Sequence, residues 1–150
     1  MVREVTRVEG LKELKHALEE LPKATRTSLL KRTLLQAGEP LAEDARARAP
    51  DDPTTAGYDL KKSVTVTHRL SRRQKRQHRK GSKVEVFVGA GPLSQATQQE
   101  FGNVLHGPQP FFRPAWESSK RGVLAAIVKA LTEEIEKARR RLARKAARSK

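Results

Sequence analysis

The sequence predicts an α+β fold, and three observations carry that prediction. Leucines and alanines recur at helical spacing over two N-terminal stretches and one C-terminal stretch. Two short valine-rich segments alternate with period two between them. Pro, Gly and Asp gather at the joins. The expected architecture is N-terminal helices, a small antiparallel β-sheet with a long basic hairpin loop, and a long C-terminal helix. At 150 residues a single domain spanning 1–150 is expected, with a basic loop at 69–83 and a basic C-terminal extension at 137–150.

The first helix is expected from Val8 to Leu21, where Leu11, Leu14, Leu18 and Leu21 fall on one face. Gly10 fits its first turn or the residue before it, and Pro22 marks its end. A second helix follows, with Leu30, Leu34, Leu41 and Ala45 on one face and Leu29, Leu35 and Ala37 broadening it. Gly38 and Pro40 fall mid-way; an interior proline removes a donor and costs about 3 kcal/mol, which predicts a kink or two helices in series. The pattern stops before Pro50, and Ala49–Leu60 reads as a loop.

SVTVTHR places Val64, Val66 and His68 on one face, and KVEVFV does the same with Val84, Val86 and Val88. These are the two antiparallel strands. The connection LSRRQKRQHRKGS is far longer than a tight turn, and its like charges repel, so a mobile loop or two projecting strand ends are expected. Gly89, Gly91 and Pro92 end the second strand, and PLSQATQQEF fits a short helix opening at Pro92. From Pro114 the helical period returns through Leu124, Ile127, Val128, Leu131, Ile135, Ala138 and Leu142. Proline suits a first helical turn, and the basic last turns suit the negative end of the helix dipole.

Composition narrows the functional classes. No cysteine is present, so disulfide and thiolate chemistry are excluded. The longest nearly apolar run, Gly122–Leu131, is broken by Lys129 and falls short of the roughly 20 residues that span a bilayer. MVREVTRVEG lacks the apolar centre of a signal peptide. The expectation is a soluble protein that acts where it is made or becomes part of something larger, with no membrane partner. The net charge of +15 is localised: Arg69–Lys80 holds seven cations and no acid, and Lys137–Lys150 holds eight and no acid. The other 17 cations balance all 17 acids, which describes a neutral body with two basic appendages.

No constellation of residues supports catalysis. His16, His68, His78 and His106 form no metal-binding spacing, and Glu43 and Asp44 are adjacent on a helix and so point in different directions. Gly89-Ala90-Gly91 lacks the further glycine and lysine of a phosphate loop. No catalytic residue, metal or cofactor is expected, and the chain reads as a non-enzyme. The basic loop (Arg72, Arg73, Lys75, Arg76, Arg79 and Lys80) and the basic helix end (Arg140 and Arg144) suit DNA phosphates, an acidic protein surface, or plain solvation. No aromatic residues interleave the cations, which argues against stacking on single strands.

One segment stands apart. Glu100–Glu117, EFGNVLHGPQPFFRPAWE, holds four of the six aromatic residues and three of the eight prolines. Such a stiff stretch serves either as a rigid connector that closes the core or as an aromatic edge that docks onto a neighbour. In extended backbone Phe111 and Phe112 point to opposite sides, and Trp116 lies one turn into the helix, able to pack back.

The order of these motifs resembles the tail-completion, or head–tail joining, family of tailed bacteriophages of the HK97 type. The resemblance rests on Gly10-Leu11 with Leu14 and Leu18, on Ala49-Pro50, on Glu100-Phe101-Gly102 and on Pro110-Phe111-Phe112-Arg113-Pro114-Ala115. It covers nearly the whole chain, and the last two motifs are its specific part. The family's Thr-Gly-x-Leu element is stretched here to Thr55-Ala56-Gly57-Tyr58-Asp59-Leu60, Asn103 stands where Thr is common, and the Arg69–Lys80 loop is longer and more basic than the family needs. The resemblance implies a non-enzymatic virion protein made in the bacterial host cytoplasm. It implies a ring, commonly hexameric, that completes the tail and meets tail-tube, tail-terminator and head-connector proteins. Phe101, Gly102, Pro110, Phe111, Phe112, Arg113, Pro114 and Trp116 are then the expected subunit or partner contacts. The basic residues named above would face DNA in the lumen or an acidic neighbouring ring, since stacking so many like charges is costly unless countered. The rival reading is a small basic nucleic-acid-binding protein.

Overall fold

A computed structural model describes residues 11–50 and 59–148. In chain order they form α1 (Leu11–Glu19), α2 (Lys23–Arg48), α3 (Leu60–Ser63), β1 (Thr65–Thr67), α4 (Arg72–Gln77), β2 (Phe87–Gly89), α5 (Ser94–Phe101) and α6 (Phe112–Arg148). The architecture is α+β, with a two-stranded antiparallel sheet and a long C-terminal helix. Val8 to Gly10 of the expected first helix, and Thr55 to Tyr58 of the stretched loop motif, lie outside the described residues.

The frame is an antiparallel pair of helices. Leu29, early in α2, shares a buried cluster with Leu131, Ile135 and Ala138, late in α6. Ala42 and Ala45, late in α2, share the other with Phe111 and Ala115, where α6 begins. The small residues at that second crossing let the backbones approach, and Phe111 fills the space they leave. Truncating a buried aromatic of this kind costs about 3–5 kcal/mol. α1 folds its Leu14, Ala17 and Leu18 onto the Leu131–Ile135 cluster. Ion pairs from Arg32 to Glu134 and from Arg139 to Glu20 (2.6 Å) fasten the same end.

α2 is one helix through Gly38 and Pro40, so of the two expectations, a kink or two helices in series, the second is not realised. Pro40 is exposed, and so is Gln36, whose carbonyl loses its helical partner at the proline; water can serve that carbonyl. Gly38 answers a packing need. A Cβ there would lie 2.8 Å from Val66 Cγ1 and 3.2 Å from Val88 Cγ2, so glycine lets the sheet lie directly on the helix.

The sheet is shorter than its valine pattern. Thr65, Val66 and Thr67 pair with Gly89, Val88 and Phe87. Val64 is fully buried but closes α3 instead of entering the ladder. The basic connection between the strands carries a helix, α4, that the charge argument did not anticipate. Its N-terminus is a capping box: Gln74 N–H donates to Ser71 Oγ (3.3 Å), and Ser71 N–H donates to Gln74 Oε1 (3.0 Å). Its far end is tied by Glu85, which accepts from Gly81 N (2.7 Å) and Ser82 N (3.0 Å) and pairs with His78 (2.8 Å).

Candidate functional site

The aromatic–proline segment is organised by its first residue, which is not among the contacts expected from the sequence. Glu100, in the last turn of α5, is only 6% exposed. Its carboxylate accepts from the backbone N–H groups of Phe111 (2.9 Å), Phe112 (2.8 Å) and Arg113 (3.0 Å). The first amides of a helix have no internal partner. Here three are taken by one carboxylate from another helix, and Pro114, next in line, has no N–H to satisfy. The negative charge also meets the positive end of the α6 dipole. Burial alone would raise the Glu100 pKa; the amides of Phe112, Phe111 and Arg113 and the Arg113 side chain outweigh it and hold the group below its usual value.

Arg113 completes the clamp. Its Nε donates to the Glu100 carboxylate at 3.0 Å and its Nη2 to the Glu100 carbonyl at 2.9 Å, while the guanidinium lies 5.1 Å from the centre of the Phe101 ring. That distance suits a cation–π contact. Gly102 then turns the chain at φ +80°, and a Cβ there would meet Pro108 N at 3.0 Å. The loop beyond is pinned from inside: Asn103 Oδ1 accepts from Leu105 N (2.7 Å) and His106 N (2.9 Å), and Gln109 N returns to Gln99 O (2.7 Å).

Both readings of this segment find residues. Phe111 is 1% exposed and sits in the core with Ala115, so it closes the interior and offers nothing to a partner, a correction to its expected contact role. Phe112 is half-buried against the same cluster and tilts against Phe111, with ring centres 5.3 Å apart. Gly102 and Pro114 are half-buried, and Pro110 is exposed. Phe101 (64%) and Trp116 (49%) face outward. Val104 (102%) and Leu105 (93%), which the sequence reading did not single out, form the exposed tip of the pinned loop.

The basic candidates lie on two elements. Arg72, Arg73, Lys75 and Arg76 are exposed on α4, followed by exposed Arg79 and Lys80, while Arg140 and Arg144 are exposed near the end of α6. The side chains of the four α4 cations make no hydrogen bond or ion pair with another described residue. No group of three or more His, Asp or Glu side chains among the described residues could hold a metal ion. Asp44, weighed earlier beside Glu43, is held below its usual pKa by the Ser118 hydroxyl and by Arg48 (2.9 Å), which makes it a tie between α2 and α6.

The comparison with known families decides the identity. Residues 12–102 match the family described as "HK97-gp10_like: Bacteriophage HK97-gp10, putative tail-component". The chain belongs to this HK97-gp10-like family. The matched stretch runs from α1 to Gly102 and so contains the sheet, the basic connection and Glu100; the segment that Glu100 clamps, and α6 itself, follow it. Among curated proteins and among solved structures, no match is found. Membership makes the HK97-gp10-like chain a structural component of a phage tail, hence of a virion, acting with other phage structural proteins. No helix among the described residues is long and apolar enough to cross a membrane.

Proposed function

We propose that the chain completes the end of the tail and joins it to the head connector, assembled as a ring in the phage neck, and that the ring is hexameric. The observation that carries this reading is the rigid apolar rim. Val104 and Leu105 stand almost wholly in solvent on a loop whose backbone is pinned by Asn103, with Phe101 exposed beside it. A loop whose backbone is already fixed loses less entropy on docking, and an exposed cluster of apolar side chains marks an interaction surface. The whole chain acts as one unit, with the rim as subunit contact. The cations of α4 and of the α6 end face DNA in the lumen or acidic surfaces of tail-tube, tail-terminator or connector proteins.

Light scattering on the purified protein, alone and with isolated tail tubes, tests the reading. A ring, or assembly onto tube ends seen by electron microscopy, is expected. Val104→Asp with Leu105→Asp should abolish it while leaving the circular dichroism spectrum unchanged. Normal assembly and normal tail joining by that double variant would overturn the reading.

A further inference from the structure

A cleft of about 710 Å³ opens between α2, the end of β1, α4 and the chain entering β2. Five cations converge on it from separate stretches: Lys31, Arg69, Lys75, Lys80 and Lys83. The only acid among the described residues lining it is Glu85, whose oxygens are taken up by His78, Gly81 and Ser82. Leu70, Val84 and Phe87 add apolar surface to the lining, and the His78 ring stands perpendicular to that of Phe87 with centres 5.1 Å apart. His68, also in the lining, has its pKa lowered by desolvation and by the charges of Lys31 and Arg69. With no acid among the described residues paired to the five cations, the field inside the cleft is positive.

We propose that this cleft binds an extended acidic peptide segment of another protein, one that alternates carboxylates with apolar residues. An extended chain sends successive side chains to opposite faces, so such a segment sets its apolar residues against Leu70, Val84 and Phe87 and its carboxylates toward the lysines. Duplex DNA presents phosphates on a convex surface and gains nothing from a recessed apolar lining; the exposed α4 cations suit it better. Single strands need successive aromatic platforms, and this cleft has one phenyl ring, already packed by His78. The proposal deepens the neck reading by naming the chemistry of a partner. Because it is tested on the purified protein without tails, its failure is separable from a failure of joining.

The test is fluorescence anisotropy with a labelled 12-residue peptide repeating Glu-Leu-Asp-Phe. Saturable binding is expected, weakened about tenfold or more by Leu70→Ser and, separately, by Lys31→Glu with Lys83→Glu, each variant checked for native circular dichroism. A polyglutamate of the same length should bind at least about tenfold more weakly than the alternating peptide at matched salt. Nuclear magnetic resonance titration should show the His68 pKa rising when the alternating peptide is bound. The proposal is overturned by absence of saturable binding, by equal affinity for polyglutamate, or by affinity that Leu70→Ser leaves unchanged. Displacement of the peptide by a short DNA duplex at lower concentration would equally overturn it and assign the cleft to nucleic acid.

Discussion

Glu100 and Arg113 hold each other twice, through Nε to the carboxylate (3.0 Å) and through Nη2 to the Glu100 carbonyl (2.9 Å). The same carboxylate takes three backbone amides at the start of α6, so one side chain sets where the longest helix begins. Glu100→Ala leaves the buried Phe111 amide and the partly buried Phe112 and Arg113 amides without their acceptor and should cost about 3 kcal/mol in urea unfolding, with Glu100→Gln costing less. An unchanged midpoint for Glu100→Ala would show that water replaces the carboxylate.

The lowered Glu100 pKa gives that effect a pH signature. A carboxylate whose folded pKa is depressed contributes stability above its unfolded pKa, about 4.3, and loses it as pH falls through the folded value. The stability difference between the native chain and Glu100→Gln should therefore shrink below about pH 4. A difference constant from pH 7 to pH 3 would contradict the assignment.

Gly38→Ala should destabilise, although alanine favours a helix by about 1 kcal/mol. The new methyl would sit 2.8 Å from Val66 Cγ1, and overpacking of this kind costs about 1–3 kcal/mol. A rise in thermal midpoint would show that the sheet yields to the added methyl.

Thr33→Val should act in the opposite direction. Thr33 is buried within α2, and its hydroxyl has no hydrogen-bond partner among the described residues. Replacing it with an isosteric apolar group removes an unmet desolvation cost and should stabilise by about 1 kcal/mol, read by chemical denaturation. A loss of stability would reveal a partner for the hydroxyl, such as a bound water.

Changing Arg72, Arg73, Lys75 and Arg76 together to glutamine should leave folding intact, because none of these side chains is tied to a described residue. Infectious titre of a phage carrying the change should fall about tenfold or more through weakened contact with DNA or an acidic neighbour. Normal titre would remove the functional case for the α4 cations.

The helices were largely legible because their apolar faces repeat at i, i+3 and i+4, as in Leu124, Ile127, Val128, Leu131 and Ile135. The sheet was less so. Val64 and Val84 fit a period of two, yet α3 and the Glu85 tie hold them outside the ladder. For α4, the Ser71-x-x-Gln74 capping signature is present in the sequence, but the expectation of a loop rested on charge repulsion alone. Glu100 carried a fainter signal. α6 opens with Phe-Arg-Pro, directly after Phe111, and has no Ser, Thr, Asp or Asn cap of its own, so its amides had to find an acceptor elsewhere. The cleft was beyond reach, since Lys31 and Lys83 meet only through the fold.

Beyond Ala138, the last buried residue of α6, the ten described residues 139–148 are all exposed. At 1.5 Å per residue they form a cantilever about 15 Å long. Arg140, Arg144 and Arg148 repeat at intervals of four, as do Arg141 and Lys145, and such like-charged neighbours work against the coil they share. These turns extend a helix that is already formed, but they gain nothing from tertiary packing, which supplies most helical stability in proteins. Any anion that lies along them relieves the repulsion and winds them tighter, so the helicity of these ten residues becomes a gauge of whether the arm is occupied.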